Sequence, residues 1–67
     1  MVYVNGKRIR ELRQAKGMSQ EELAEAAGVS QPMIAHIEAG RKQPGITALK
    51  LTADSFGVPM DDLLIGN

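Results

Sequence analysis

Residues 19–40 read SQEELAEAAGVSQPMIAHIEAG, and the spacing within them decides the fold. Ser19 and Glu22 have the S-x-x-E spacing of a capping box, in which each side chain satisfies a free N–H at a helix start. Leu23, Ala24 and Ala27 follow as one apolar stripe at helical period. Gly28 then allows a turn that a Cβ would obstruct. Ser30 is a second N-cap, and Pro32 is the second residue of the helix it opens. Proline is harmless there, because first-turn N–H groups have no intrahelical partner. Ile34 and Ile37 point inward and Gly40 closes the segment. Its outward residues (Gln31, His36 and two alanines) carry no charge.

Two short helices joined by a three- or four-residue turn containing glycine make a helix-turn-helix, here over about residues 20–39. Ala24 is small where the helices would cross closely, Gly28 turns the chain, and Val29 can plug the gap beneath it. Outward from this unit, Ile9 and Leu12 mark the inner side of a first helix near 6–16 that ends before Gly17. Residues 41–45, RKQPG, are a polar loop with a Pro-Gly break. A fourth helix over about 46–56 puts Ile46, Leu49, Ala53 and Phe56 on one face, with Leu51 off that face and Thr52 near it. GVP breaks the chain at 57–59, and MDDLL predicts a short fifth helix with acids in its first turn. The expected architecture is all-α: a compact five-helix bundle forming a single domain over residues 1–67.

Composition agrees. A chain of 67 residues buries only about 60% of the surface it exposes when unfolded, so its core is small. With 43% apolar residues and only Tyr3 and Phe56 as aromatics, that core rests on aliphatic side chains, which favours packed helices. There is no cysteine, hence no disulfide or thiolate metal site, and the single His36 cannot complete a coordination shell. No apolar run approaches the ~20 residues of a membrane span, and the N-terminus lacks a secretory apolar region. A cytoplasmic protein is the expectation. Zero net charge hides segregation: residues 1–18 carry +4, 19–40 carry −4, 41–50 carry +3 and 51–67 carry −3. Because salt screens beyond roughly 8–10 Å, a neutral chain patterned this way can still present a basic surface.

In residue types, spacing and capping together, IRELRQAKGMSQEELAEAAGVSQPMIAHIEAGRKQP, followed by ADSFGVPMDDLL, resembles the Cro/CI-type (XRE-like) helix-turn-helix family of bacterial and phage transcriptional regulators. The resemblance runs from about Ile9 to Leu64. It implies the lambda-repressor-like bundle, whose third helix, here about 31–39, lies in the major groove of double-stranded DNA. Gln31 matches the leading base-reading position, where its amide suits adenine N6 and N7. Pro32 and His36 match two further groove-facing positions; Pro32 offers only apolar contact where the family has a polar reader. Gln20 resembles a glutamine that contacts phosphate and braces its neighbour. Arg41, Lys42 and Gln43 fall where the family contacts the DNA backbone, and Arg8 is a further expected phosphate contact. Arg13 and Glu38 correspond to a largely buried ion pair.

The function expected from the resemblance is a repressor acting as a homodimer on a palindromic operator, with half-sites about 34–36 Å apart. Leu51, apolar where the family is polar, joins Ile65 as a candidate dimer surface. Glu21, Glu22 and Glu25 should point away from DNA. The alternative is an antitoxin or co-regulator that uses the same fold mainly for protein contacts. An enzyme is not expected: Ser19 and Ser30 are explained as caps, and His36 lacks a nucleophile or carboxylate at a diagnostic spacing. No cofactor, metal or small-molecule ligand is implied. A complete small regulator and an excised N-terminal domain both fit the length.

Overall fold

The first four helices form where capping and periodicity place them. In the computed structural model, which describes residues 2–66, they are α1 (Gly6–Ala15), α2 (Gln20–Ala27), α3 (Gln31–Glu38) and α4 (Ile46–Phe56). α2 packs against both α3 and α4, and α1 packs against α3. Asn5 caps α1 by accepting from the Arg8 N–H at 3.1 Å. Gly57, left-handed at φ 71°, ends α4.

Two local features differ from the expected bundle. The fold class is the expected helical bundle, and the first difference is an addition to it: β1 (Val2–Val4) and β2 (Leu64–Gly66) pair antiparallel, with Val4 opposite Leu64 and Tyr3 opposite Ile65. The expected fifth helix is instead a single 3-10 turn, Met60–Leu63. Its Asp62 N–H reaches back to the Pro59 carbonyl at 3.1 Å, an i→i+3 bond. Pairing with β1 draws Leu64 into extended backbone, so no further helical turn can form.

The core is Val4, Ile9, Leu23, Ala24, Ala27, Ile34, Ile37, Leu49, Ala53, Phe56 and Leu63, drawn from every element except β2. Leu12 is half-buried beside it. Thr52, not Ile46, completes the inner face of α4. Its hydroxyl donates to the Ala48 carbonyl at 2.7 Å, so burial leaves no polar group unpaired. Ile46, in the first turn and about 70° from the centre of the buried face, is 71% exposed.

α1 meets the end of α3 backbone to backbone. A Cβ on Gly6 would overlap the Ile37 carbonyl oxygen and lie 2.9 Å from that of Glu38. Gly6→Ala is therefore expected to separate α1 from α3 and to destabilise the protein by about 1–3 kcal/mol, read as a lowered urea midpoint. An unchanged midpoint would contradict this packing.

Candidate nucleic-acid interface

The α2–turn–α3 unit is built as its sequence dictates. Ser19 Oγ accepts from the Glu22 N–H at 3.0 Å while Glu22 Oε1 accepts from the Ser19 N–H at 2.8 Å, the complete capping box. Gly28 is left-handed at φ 72°, and the Val29 N–H donates to the Ala24 carbonyl at 3.0 Å, closing α2. Ser30 Oγ then accepts from the Met33 N–H at 3.3 Å and opens α3.

Ile34 and Ile37 seat α3 on the core. At 100° per residue, Gln31, Pro32, Ala35 and His36 therefore share its outward face. Gln31 and Pro32 are exposed; Ala35 and His36 are half-buried. His36 Nδ1 is enclosed and has no hydrogen-bond partner among the described residues, which leaves Nε2 as the accessible nitrogen. The face is uncharged and shallow, a surface that can approach base edges.

Behind this face lies a polar cluster. Arg13 Nε donates to Glu38 Oε2 at 2.6 Å and Arg13 Nη2 to Glu38 Oε1 at 3.1 Å, a bidentate pair. Arg13 Nη1 donates to the Met18 carbonyl at 2.8 Å, and Gln20 Nε2 to Glu38 Oε1 at 3.1 Å. The side chains of Arg13 and Glu38 are only 11% and 4% exposed. One carboxylate thus joins α1, the α1–α2 turn, the first residue of α2 and the last residue of α3. Gln20 has its amide nitrogen turned to Glu38, so bracing is the part of its expected double role that the free protein displays.

The remaining expected site residues divide. Arg41 and Lys42 are exposed, and their N–H groups both donate to the His36 carbonyl, at 2.9 and 3.4 Å. That fixes the backbone of both residues at the C-terminal end of α3. Gln43 is turned elsewhere: its Oε1 accepts from the Val4 N–H at 2.7 Å. Arg8 is half-buried about 130° around α1 from the side that carries Gly6, Ile9 and Arg13. The structure does not bring it to the α3 face. Glu21, Glu22 and Glu25 are exposed on the side of α2 away from its buried residues, and Gln20 lies on the inner side. Leu51, 39% exposed, lines a shallow concavity with Ile46, Thr47, Lys50 and Asp54. Ile65 does not line it and stands on β2 opposite Tyr3.

A helix-turn-helix family model matches residues 9–63. The chain belongs to the Cro/CI-type helix-turn-helix family. It is 39% identical over 59 residues to the HTH-type transcriptional regulator DdrOP3 of Deinococcus deserti, covering 88% of this chain and 46% of that one. The chain thus spans about half the length of that relative. The restriction-modification controller protein C.AhdI from Aeromonas hydrophila is similar in structure, with a TM-score of 0.79 and 32% identity over 85% of this chain and 86% of that one. The biofilm master regulator SinR, solved in complex with DNA, matches with a TM-score of 0.76 and 35% identity, covering 84% and 90%.

Within this Cro/CI-type unit, Glu38 is the shared acceptor. Glu38→Ala leaves Arg13 buried and unpaired and is expected to cost about 3–5 kcal/mol. Far-UV circular dichroism with urea would show the loss. Removing both charges with Arg13→Met and Glu38→Leu should cost less than Glu38→Ala alone, since no uncompensated charge remains. A double variant at least as unstable as the single would contradict the account.

Proposed function

We propose that this protein is a cytoplasmic, sequence-specific DNA-binding transcriptional regulator, a repressor, that lays α3 in the major groove as a single-domain module. The observation that carries the reading is the uncharged face of Gln31, Pro32, Ala35 and His36, flanked by Arg41 and Lys42, whose backbone is held by the His36 carbonyl. Base edges are read by hydrogen bonding and shape, while phosphates are met by cations at the margin. Gln31 pairs with adenine, Pro32 lies against a thymine methyl, and His36 presents Nε2 to a neighbouring base. Gln20, at the start of α2, meets the backbone. The outward placement of the α2 glutamates supports this reading, because an acidic face between Gln20 and α3 would repel phosphate.

A homodimer on a palindromic operator accounts for the exposed concavity around Leu51 and Ile46, apolar surface that a second copy would cover. An antitoxin or co-regulator would use the same concavity for a different protein, and the two readings part on whether the purified chain self-associates. Repression follows where a bound dimer occupies promoter DNA.

Selection of bound duplexes from a random pool tests the proposal. The wild type should enrich a two-fold symmetric motif. Gln31→Ala should lose preference at one position per half-site, at a cost of about 1–3 kcal/mol. Arg41→Ala should weaken all sequences alike and flatten the salt slope by about 1. Unchanged operator choice in Gln31→Ala would rule out its base-reading role. In sedimentation equilibrium, Leu51→Glu should shift the chain toward monomer; unchanged self-association removes Leu51 from the interface.

A further inference from the structure

β1 has two edges. On one, Tyr3 pairs with Ile65 and the Asn5 N–H donates to the Leu63 carbonyl at 2.7 Å. Alternation along the strand turns the Val4 N–H the other way, to the edge where a third strand would lie. There it meets Gln43 Oε1 at 2.7 Å, from 39 positions along the chain. Gln43 directly follows Arg41 and Lys42, whose N–H groups are held by the His36 carbonyl. The loop is thus fastened twice, to α3 through a main-chain carbonyl and to β1 through the Gln43 side chain. The next two residues of the N-terminal segment serve the same corner. Asn5 caps α1, and Gly6 lies against the carbonyls of Ile37 and Glu38. Residues 4–6 form a clasp on the end of α3 and on the loop that leaves it.

We infer that Gln43 is a positioning residue for DNA binding: held through its Oε1 by the Val4 N–H, it sets where Arg41 and Lys42 stand relative to α3. This rests on the DNA-binding reading above. The bond to β1 uses only the amide oxygen, and the Gln43 NH2 stays free to donate. Because a neutral contact carries no counterion, the salt slope separates positioning from direct phosphate contact. The bond orders the loop before binding, so that association need not supply the entropy of fixing two cationic residues.

A double-mutant cycle separates positioning from contact. Gln43→Ala removes the acceptor, and Val4→Pro removes the donor at a strand edge where proline is tolerated. Binding to the selected duplex is followed by fluorescence anisotropy across a salt series. Each single variant should bind roughly three- to tenfold more weakly, the worth of one hydrogen bond, and the double variant should be no weaker than the weaker single. Gln43→Ala should also flatten the salt slope by about 1 although it removes no charge, because a cation has left its phosphate. Equal losses from Gln43→Ala in the wild-type and Val4→Pro backgrounds, with an unchanged slope, would overturn the inference, as would full affinity in Gln43→Ala. If Val4→Pro does not fold, the slope of Gln43→Ala decides alone: flattened supports positioning, unchanged refutes it. A wild-type chain that binds no duplex would sink the DNA reading and this inference with it. Wild-type binding with additive losses sinks the inference only.

Discussion

The carboxylate of Glu38 is the constraint on which the arrangement depends. It sits at the last residue of α3 and accepts from Arg13 on α1 and Gln20 on α2, while the same Arg13 holds the Met18 carbonyl in the turn between those helices. Hydrophobic burial is non-directional, and a core of small aliphatic side chains leaves several ways for short helices to slide over one another. A bidentate pair removes that freedom, because its two short bonds form in only one relative placement. Net stability is a poor explanation for such a pair, since burying both charges costs about as much as their attraction returns. Its consequence is register. The end of α3 cannot shift without breaking bonds to both α1 and α2.

The second layer of constraint is backbone packing in the same corner. Gly6 allows α1 to approach the final carbonyls of α3, and the β1–β2 pairing closes the two ends of the chain onto each other. A chain of this size has little apolar area to lose, so main-chain contacts take on work that larger domains leave to side chains. The outcome is a helix whose inner face is fixed by Ile34 and Ile37 and whose outer face is free of structural duty. Gln31 and Pro32 make no side-chain hydrogen bond within the described structure, which leaves the Gln31 amide for another molecule.

Much of this was legible in the residues. A capping box and glycine stops are local chemistry, so Ser19, Glu22, Gly28 and Ser30 place the starts of α2 and α3, and helical period puts Leu51 off the buried face of α4 and Thr52 near it. The misses have physical causes. Three-residue strands are too short for alternation to show, although VYV and LLIG carry the β-branched and aromatic residues that strands favour. Pairing with β1 then converts the expected fifth helix into one 3-10 turn. Ile46 fits the period only loosely and lies exposed, about 70° from the centre of the face that Leu49, Thr52, Ala53 and Phe56 bury. The resemblance puts Gln43 at the DNA backbone, and no sequence signal announces its further bond to Val4, 39 residues away. Arg8 stands about 130° around α1 from Gly6, Ile9 and Arg13, a placement that charge alone does not reveal.

On the proposed reading, DNA lies on the uncharged face of α3, with Gln20, Arg41 and Lys42 around it. Titration of isotope-labelled protein with an operator duplex, followed through its amide resonances, addresses this directly. Shifts should concentrate at residues 20, 31, 33–36 and 41–42, with Glu21, Glu22 and Glu25 unaffected. Shifts confined to the Ile46–Leu51 concavity or to the β1–β2 pair, with α3 silent, would contradict it.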